Sequence, residues 1–237
     1  MKLKLTAGAL ALAAMAPLAQ AEVAVTPAVL SDYDFRGISL SARDPAVQLD
    51  VLFSNSSPFT FDLWASTTDL GTKTDVELDA TVAVSGGNDE IANWTAGLTY
   101  YSYFNESEFN YPEVFVGVSK SFNDTVSGGL KLWYSNDLNA SSESATYLEA
   151  NVHVNLPNNF GLDFHAARSD GNYWDLVNGD GYTDFSLGLS YSWNDINFGL
   201  KYVDGSDLPD AGEDILSTES KVVFSVSKTF SFGGKKD

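Results

Sequence analysis

Cysteine is missing from the 237-residue chain. No disulfide can staple it, and neither a thiolate nucleophile nor a cysteine-held metal is available. Basic residues are scarce: 13 Lys and Arg stand against 32 Asp and Glu, a net charge of −19. A surface of that sign repels nucleic acid and attracts cations. Long apolar runs are missing too. The most apolar stretch, Leu5 to Ala16, falls short of the roughly 20 residues that a membrane helix needs. No phosphate loop, serine-centred elbow or zinc signature occurs, so the sequence carries no sign of enzyme chemistry or of a bound cofactor.

What is present begins with an export signal. Lys2 and Lys4 precede the apolar run, and Ala19-Gln20-Ala21 supplies a small-residue cleavage pattern. Residues 1–21 therefore read as a secretory signal peptide, and 22–237 as one mature domain. Without Lys2 and Lys4 the bases fall to 11 against 32 acids, a net charge of −21. An exported chain without a spanning helix is either a soluble β-protein or a membrane β-barrel.

The residue rhythm favours the barrel. In 75–84, Val76, Leu78, Ala80, Val82 and Val84 alternate with Glu77, Asp79 and Thr81, the period of two of a strand with one apolar and one polar face. The same alternation recurs at 148–156, 184–193 and 196–202. Twelve strands are expected, at 23–36, 46–55, 59–68, 75–85, 92–104, 112–122, 125–135, 145–156, 160–168, 182–193, 196–204 and 217–232. Their connections alternate in size. Tight turns such as Asn123-Asp124 and Asn194-Asp195 are followed by longer, acidic links such as 37–45, 136–144, 169–181 and 205–216. An up-and-down outer-membrane barrel has this asymmetry, whereas a Greek-key sandwich has no reason to sort its loops by parity.

Aromatic residues collect at strand ends. Phe53, Phe59, Phe61, Phe122, Phe160, Trp193, Phe230 and Phe232 flank the short turns. Tyr33, Phe35, Tyr100, Tyr101, Tyr103, Phe104, Trp133, Tyr134 and Tyr202 flank the long links. These are read as two interfacial belts. The last strand alternates through Phe224, Val226, Phe230 and Phe232, similar to the closing-strand signal that barrel-assembly machinery reads; Lys228 falls on its lipid parity, near the end, where snorkelling keeps the cost small.

The segment Ser31-Asp32-Tyr33-Asp34-Phe35-Arg36-Gly37-Ile38-Ser39-Leu40-Ser41, with Asp44-Pro45-Ala46 after it, resembles the opening motif of the TorF family of porins. Trp64-Ala65-Ser66 with Val76-Glu77-Leu78-Asp79, and Tyr111-Pro112-Glu113-Val114-Phe115-Val116-Gly117, are similar to its later blocks. The resemblance implies a small outer-membrane pore protein of proteobacteria; it implies no substrate and no catalytic residue.

If the polar parity faces inward, the lumen is lined by Asp32, Asp34, Arg36, Asp50, Asp62, Glu77, Asp79, Glu113, Lys131, Glu149, His153, Asp163, His165, Asp184 and Lys201, and also by Glu219 and Lys221. Such a lining concentrates small cations. The same charges can pair across strands and fill the lumen, and for any single residue that structural role is the favoured one; the net charge of −21 still sets the sign of the whole field. His153 and His165 share the inward parity on strands joined at Pro157–Asn159, with Asp163 and Asn151 nearby; hydrogen-bonded lumen residues are the favoured reading over a metal pair. Asn178, Asp180 and Gly181 suggest a calcium loop, but Leu176 and Leu187 occupy two of its ligand positions, so a turn-rich outer loop is expected. The expected protein is an outer-membrane porin for small polar or cationic solutes, contacting outer-membrane lipid, lipopolysaccharide and the barrel-assembly machinery. The competing readings are a barrel enzyme acting on envelope lipid and a secreted sandwich binding sugars through Tyr173 and Trp174.

Overall fold

The alternating segments pair edge to edge and close on themselves. The computed structural model describes residues 22–88, 90–206, 208 and 214–233; the expected signal peptide, 1–21, lies outside them. Strand β1 (Glu22–Leu30) is followed by a small hairpin, β2 (Asp34–Phe35) and β3 (Ile38–Ser39). Next come β4 (Ala46–Ser54), β5 (Phe59–Thr67), β6 (Val76–Asn88), β7 (Ala92–Tyr103), β8 (Tyr111–Ser121), β9 (Val126–Ser135), β10 (Ala145–Leu156) and β11 (Phe160–Asp170). A short helix α1 (Asn172–Asn178) precedes β12 (Tyr182–Trp193), β13 (Ile196–Ser206), β14 (Lys221–Lys228) and β15 (Phe230–Phe232).

Every wall strand pairs antiparallel with its sequence neighbour, and β1 also pairs with β14 and β15. Since β14 and β15 are one interrupted strand, the result is a closed barrel of twelve strands without a free edge. The interruption lies in the closing seam. The register of Val25 with Phe230 and of Ala28 with Ser227 sets Thr229 against Thr26, whose hydroxyls are 2.9 Å apart. Pro27, which has no N–H to donate, sits beside that gap.

The apolar columns point outward. Val82, Val116, Leu132, Leu148, Leu187 and Val222 are exposed, Val116 at 57%. Glu77, Glu113 and Asp184 on the opposite parity are 0%, 2% and 3% exposed. A soluble sandwich would show the reverse, and that reading is set aside. Tight turns follow from their residues: Asn194 and Asp195, at φ of 50° and 61°, make the two-residue connection of β12 to β13, a left-handed geometry that Asn and Asp tolerate.

Three expectations are corrected. The first strand ends at Leu30 rather than Arg36, because Ser31 turns the chain inward and its neighbours form the β2–β3 hairpin instead of more wall. The last strand begins at Lys221 rather than 217, and the 169–181 link contains α1 instead of only turns. The long-link aromatic belt is also thinner than expected. Tyr100, Phe104, Tyr134 and Tyr202 face out, but Tyr33, Tyr101 and Tyr103 are buried inside, with Phe35 and Trp133 on the same side. Alternation is the reason: Tyr100 and Tyr101 are adjacent in β7 and so cannot share a face.

Candidate functional site

The hairpin of β2 and β3 lies within the barrel and constricts it. Its turn is Arg36-Gly37, with φ of 54° and 85°, the two positive values of a tight two-residue hairpin. A Cβ on residue 37 would stand 3.0 Å from the Asp184 Cβ, so glycine is needed for both conformation and space. Arg36 has no such excuse; its left-handed backbone persists because its side chain is tied down.

Those ties reach strands all around the wall. The Arg36 guanidinium donates two hydrogen bonds to Glu113 on β8, at 3.0 and 2.6 Å, the bidentate geometry that gives direction as well as attraction. The same guanidinium lies 4.3 Å from the Tyr147 ring centroid and 4.7 Å from that of Phe35. Tyr182 donates to the Arg36 carbonyl from β12, and Lys221 donates to the Gly37 carbonyl from β14. Asp34 is held by Lys221 and Lys201 at 3.0 and 3.1 Å. Tyr33 donates to Glu77 on β6 at 3.0 Å. Asp32 accepts from Ser39 and Ser41, which closes the base of the loop. Above the hairpin, Tyr101, Tyr103, Tyr111, Trp174 and Tyr182 form a buried cluster with Leu138 and Ala145, against which Phe35 and Ile38 pack.

Below the hairpin lies a cavity of about 990 Å³, reaching toward the short turns at Ser121 and Ser127. Asp34, Arg36, Asp62, Asp79, Lys131, Glu149, His153, Asp163, His165, Asp184 and Lys201 line it. Of the remaining expected lumen residues, Glu77 and Glu113 are buried on the inner face behind the hairpin and Asp32 is inside its base. Asp50, half-buried on β4, stands against Trp64 and Thr26 of the neighbouring strands. Asp32, Asp34 and Arg36 thus come from a folded-in loop and not, as expected, from a wall strand. Glu219 is not a lumen residue: it lies in the exposed link before β14 and pairs with Arg43 at 2.6 Å.

The charges are sorted by wall. Strands β1 and β4 to β7 contain no Lys, Arg or His, yet Asp50, Asp62, Glu77 and Asp79 stand on their inner face. Strands β8 to β14 mix signs and pair them. His165 contacts Asp184 at 3.0 Å, Asn151 at 2.8 Å and Tyr147 at 3.0 Å. His153 contacts Asp163 at 2.7 Å and Asn155 at 3.1 Å. The two histidines are on neighbouring strands but have separate partners, and among the described residues no three metal-ligating side chains converge. Lys131 is held between the rings of Phe115 and Trp133, 4.0 and 3.9 Å from their centroids. The suggested calcium loop is instead the end of α1: the Asn178 amide donates to the Asp180 carbonyl, and the Asp180 carboxylate pairs with Arg168.

The tyrosines that buttress the hairpin were not singled out as site residues. Their signal is parity: Tyr111, Tyr147 and Tyr182 fall in step with Glu113, Glu149 and Asp184 of their own strands, and the register sets Tyr101 of β7 opposite Tyr111 and Asp79.

A family model described as "Bacterial protein of unknown function (Gcw_chp)" matches residues 14–230, and the chain belongs to that family. No curated protein matches the sequence. Among solved structures, the KdgM porin is 9% identical with a TM-score of 0.59, over 89% of this chain and 99% of that one. The NanC porin is 13% identical with a TM-score of 0.60, over 88% and 98%. The COG4313 outer membrane channel from Pseudomonas putida F1 is 11% identical with a TM-score of 0.55, over 90% and 96%. At such identities the likeness is one of fold. The TorF resemblance is met at that level, a porin-like barrel; the family shown is Gcw_chp.

Proposed function

We propose that this member of the Gcw_chp family is an outer-membrane channel for passive diffusion of small polar solutes, with a preference for cations. The observation that carries the proposal is the inversion of faces: valines and leucines outside, and a charged cavity of about 990 Å³ inside a closed barrel. Water solvates solutes in such a bore, and its wall charges bias which sign enters. Across the cavity Asp34, Asp62, Asp79, Glu149, Asp163 and Asp184 outnumber Arg36, Lys120, Lys131 and Lys201, and the acids of β5 and β6 have no basic neighbour on their own strands. The hairpin sets the narrowest section. Polar-solute passage is in keeping with one structural neighbour, a porin described in complex with disordered oligogalacturonate.

In this reading residues 1–21 direct export, the barrel-assembly machinery inserts the domain, and the long links face outward toward lipopolysaccharide. No cofactor takes part. The enzyme alternative needs a nucleophile and histidine on the lipid side, and both histidines face the bore. The test is reconstitution in a planar bilayer, reading conductance and reversal potential in a potassium chloride gradient. A reversal potential favouring cations, reduced by Asp79→Asn, supports the proposal; no ion current from folded protein, or anion preference, contradicts it.

A further inference from the structure

One stretch of the cavity wall is built unlike the rest. Asp62 and Asp79 line it on β5 and β6, and the register sets Trp64 opposite Asp79 and Thr81 opposite Asp62. The two carboxylates are therefore diagonal neighbours, roughly 7–8 Å apart along the sheet. The indole of Trp64 stands beside them, its ring 5.2 Å from that of Tyr33, and both rings line the same cavity. The Tyr33 hydroxyl is turned away into its bond with Glu77. Elsewhere in the bore the acids face a basic side chain: Glu113 has Arg36, Asp184 has His165, and Asp163 has His153, although Oδ2 of Asp184 is also without a partner.

At this wall no basic side chain stands beside the acids on their own or the adjoining strands. Asp79 is 8% exposed and its Oδ1 has no hydrogen-bond partner; the same holds for Oδ1 of Asp62 and for Oε1 of the fully buried Glu77. Buried carboxylate oxygen without a donor is costly, and β4 to β7 offer no basic residue to supply one. A hydrated metal ion would gain the carboxylates but not the rings. An alkylammonium gains both, through N–H bonds to carboxylate and through its charge over indole and phenol faces.

We infer that Asp62, Asp79, Trp64 and Tyr33 form a subsite for an organic ammonium ion, an amine or diamine held between carboxylate and aromatic ring on its way through the bore. This rests on the channel reading and names the class of solute for which the bore is built.

The probe is 1,4-diaminobutane, titrated by calorimetry at constant ionic strength into the folded mature chain in detergent, with butanedioate as a control of equal length and opposite charge. Saturable binding of the diamine alone is expected, weakened at least tenfold by Asp62→Asn and by Trp64→Leu, and unchanged by Glu219→Gln in the exposed link before β14. Heat-modifiable gel mobility reports whether each variant is folded, and Asp62, being only half-buried, should tolerate its change. Absence of saturable binding, equal binding of butanedioate, or full binding by folded Asp62→Asn would overturn the subsite. Cation-selective current without diamine binding would overturn the subsite and leave the channel standing. Diamine binding by a barrel that passes no ions would refute the channel and leave the subsite.

Discussion

Replacing Glu113 by Gln tests whether the inward hairpin is the constriction. The side chains of Arg36 and Glu113 are 10% and 1% exposed and make two hydrogen bonds. Removing the charge of one partner leaves a buried guanidinium without its counter-ion, a change that costs about 3–5 kcal/mol when the pair is well buried. The loss falls on the hairpin and not on the barrel, because Glu113 lies on a strand whose ladder to β7 and β9 is intact. A shift of that size multiplies the ratio of undocked to docked hairpin by about two to three and a half orders of magnitude. Asp34, Tyr182 and Lys221 still hold the loop, so the expected product is a folded barrel whose hairpin swings out part of the time. Single-channel recording should show added long-lived states of higher conductance. Amide exchange should quicken across residues 31–41 while the wall strands stay protected. The double variant Arg36→Ala with Glu113→Gln should recover part of the lost stability, since it leaves no unpaired charge. Unchanged conductance and exchange in a folded Glu113→Gln protein would mean that the hairpin neither narrows the bore nor depends on this pair.

Other perturbations separate the remaining contributions. Val82→Arg puts a charge on an exposed outer column and should impair barrel stability by about 2–4 kcal/mol near the bilayer centre, read by urea titration in lipid vesicles. Gly37→Val should disturb the hairpin alone, because it imposes a β-branched residue at φ 85° and a Cβ 3.0 Å from that of Asp184; the expected readout is altered conductance with an unchanged strand content. Glu106, in the link between β7 and β8, accepts from the Thr74 amide at 3.2 Å. Hydrogen bonding from the Thr72 side chain, then from backbone groups, holds its carboxyl below the ordinary range. A lowered folded value means that this contact is complete above an unperturbed Glu's value of about 4.3, and is lost as the pH falls through the depressed one. Corrected exchange of the Thr74 amide should therefore rise only in strong acid, and Glu106→Gln should remove that pH dependence.

Much of the barrel was legible because one face of each strand meets hydrocarbon and the other meets water. Val76 to Val84 shows this in a single run, and the Asn-Asp turns mark where the run must reverse. The inward hairpin was not legible in the same way. Asp32, Asp34 and Arg36 keep the alternation of β1, so period two alone continues the strand through them. What diverts the chain is largely tertiary: partners for Tyr33, Asp34 and Arg36 stand on β6, β8, β13 and β14, far away in sequence, while Asp32 is held by Ser39 and Ser41 of the same loop. The Arg36-Gly37 pair carried the available hint, since a glycine after a polar residue suits a two-residue hairpin. The long-link aromatics show the same limit. Position near a strand end suggests a belt, but only parity, tested residue by residue, separates Tyr100 outside from Tyr101 inside. The sorting of charge by wall was visible as the lack of any base between Glu22 and Leu30 and from Ala46 to Phe104 in the strands; its meaning needed the register that brings Asp62, Trp64 and Asp79 together.

Site-directed spin labelling reads the orientation of the faces most directly, and a chain without native cysteine lends itself to it. Single cysteines would replace Val116, Leu132 and Leu187 on one parity and Asp163, Ser186 and Ser127 on the other, each labelled and reconstituted in lipid. The expected result is that the first three collide mainly with membrane-dissolved oxygen and the second three with a water-soluble nickel chelate. Preferential nickel contact at 116, 132 and 187 would contradict the lipid-facing assignment and, with it, the channel.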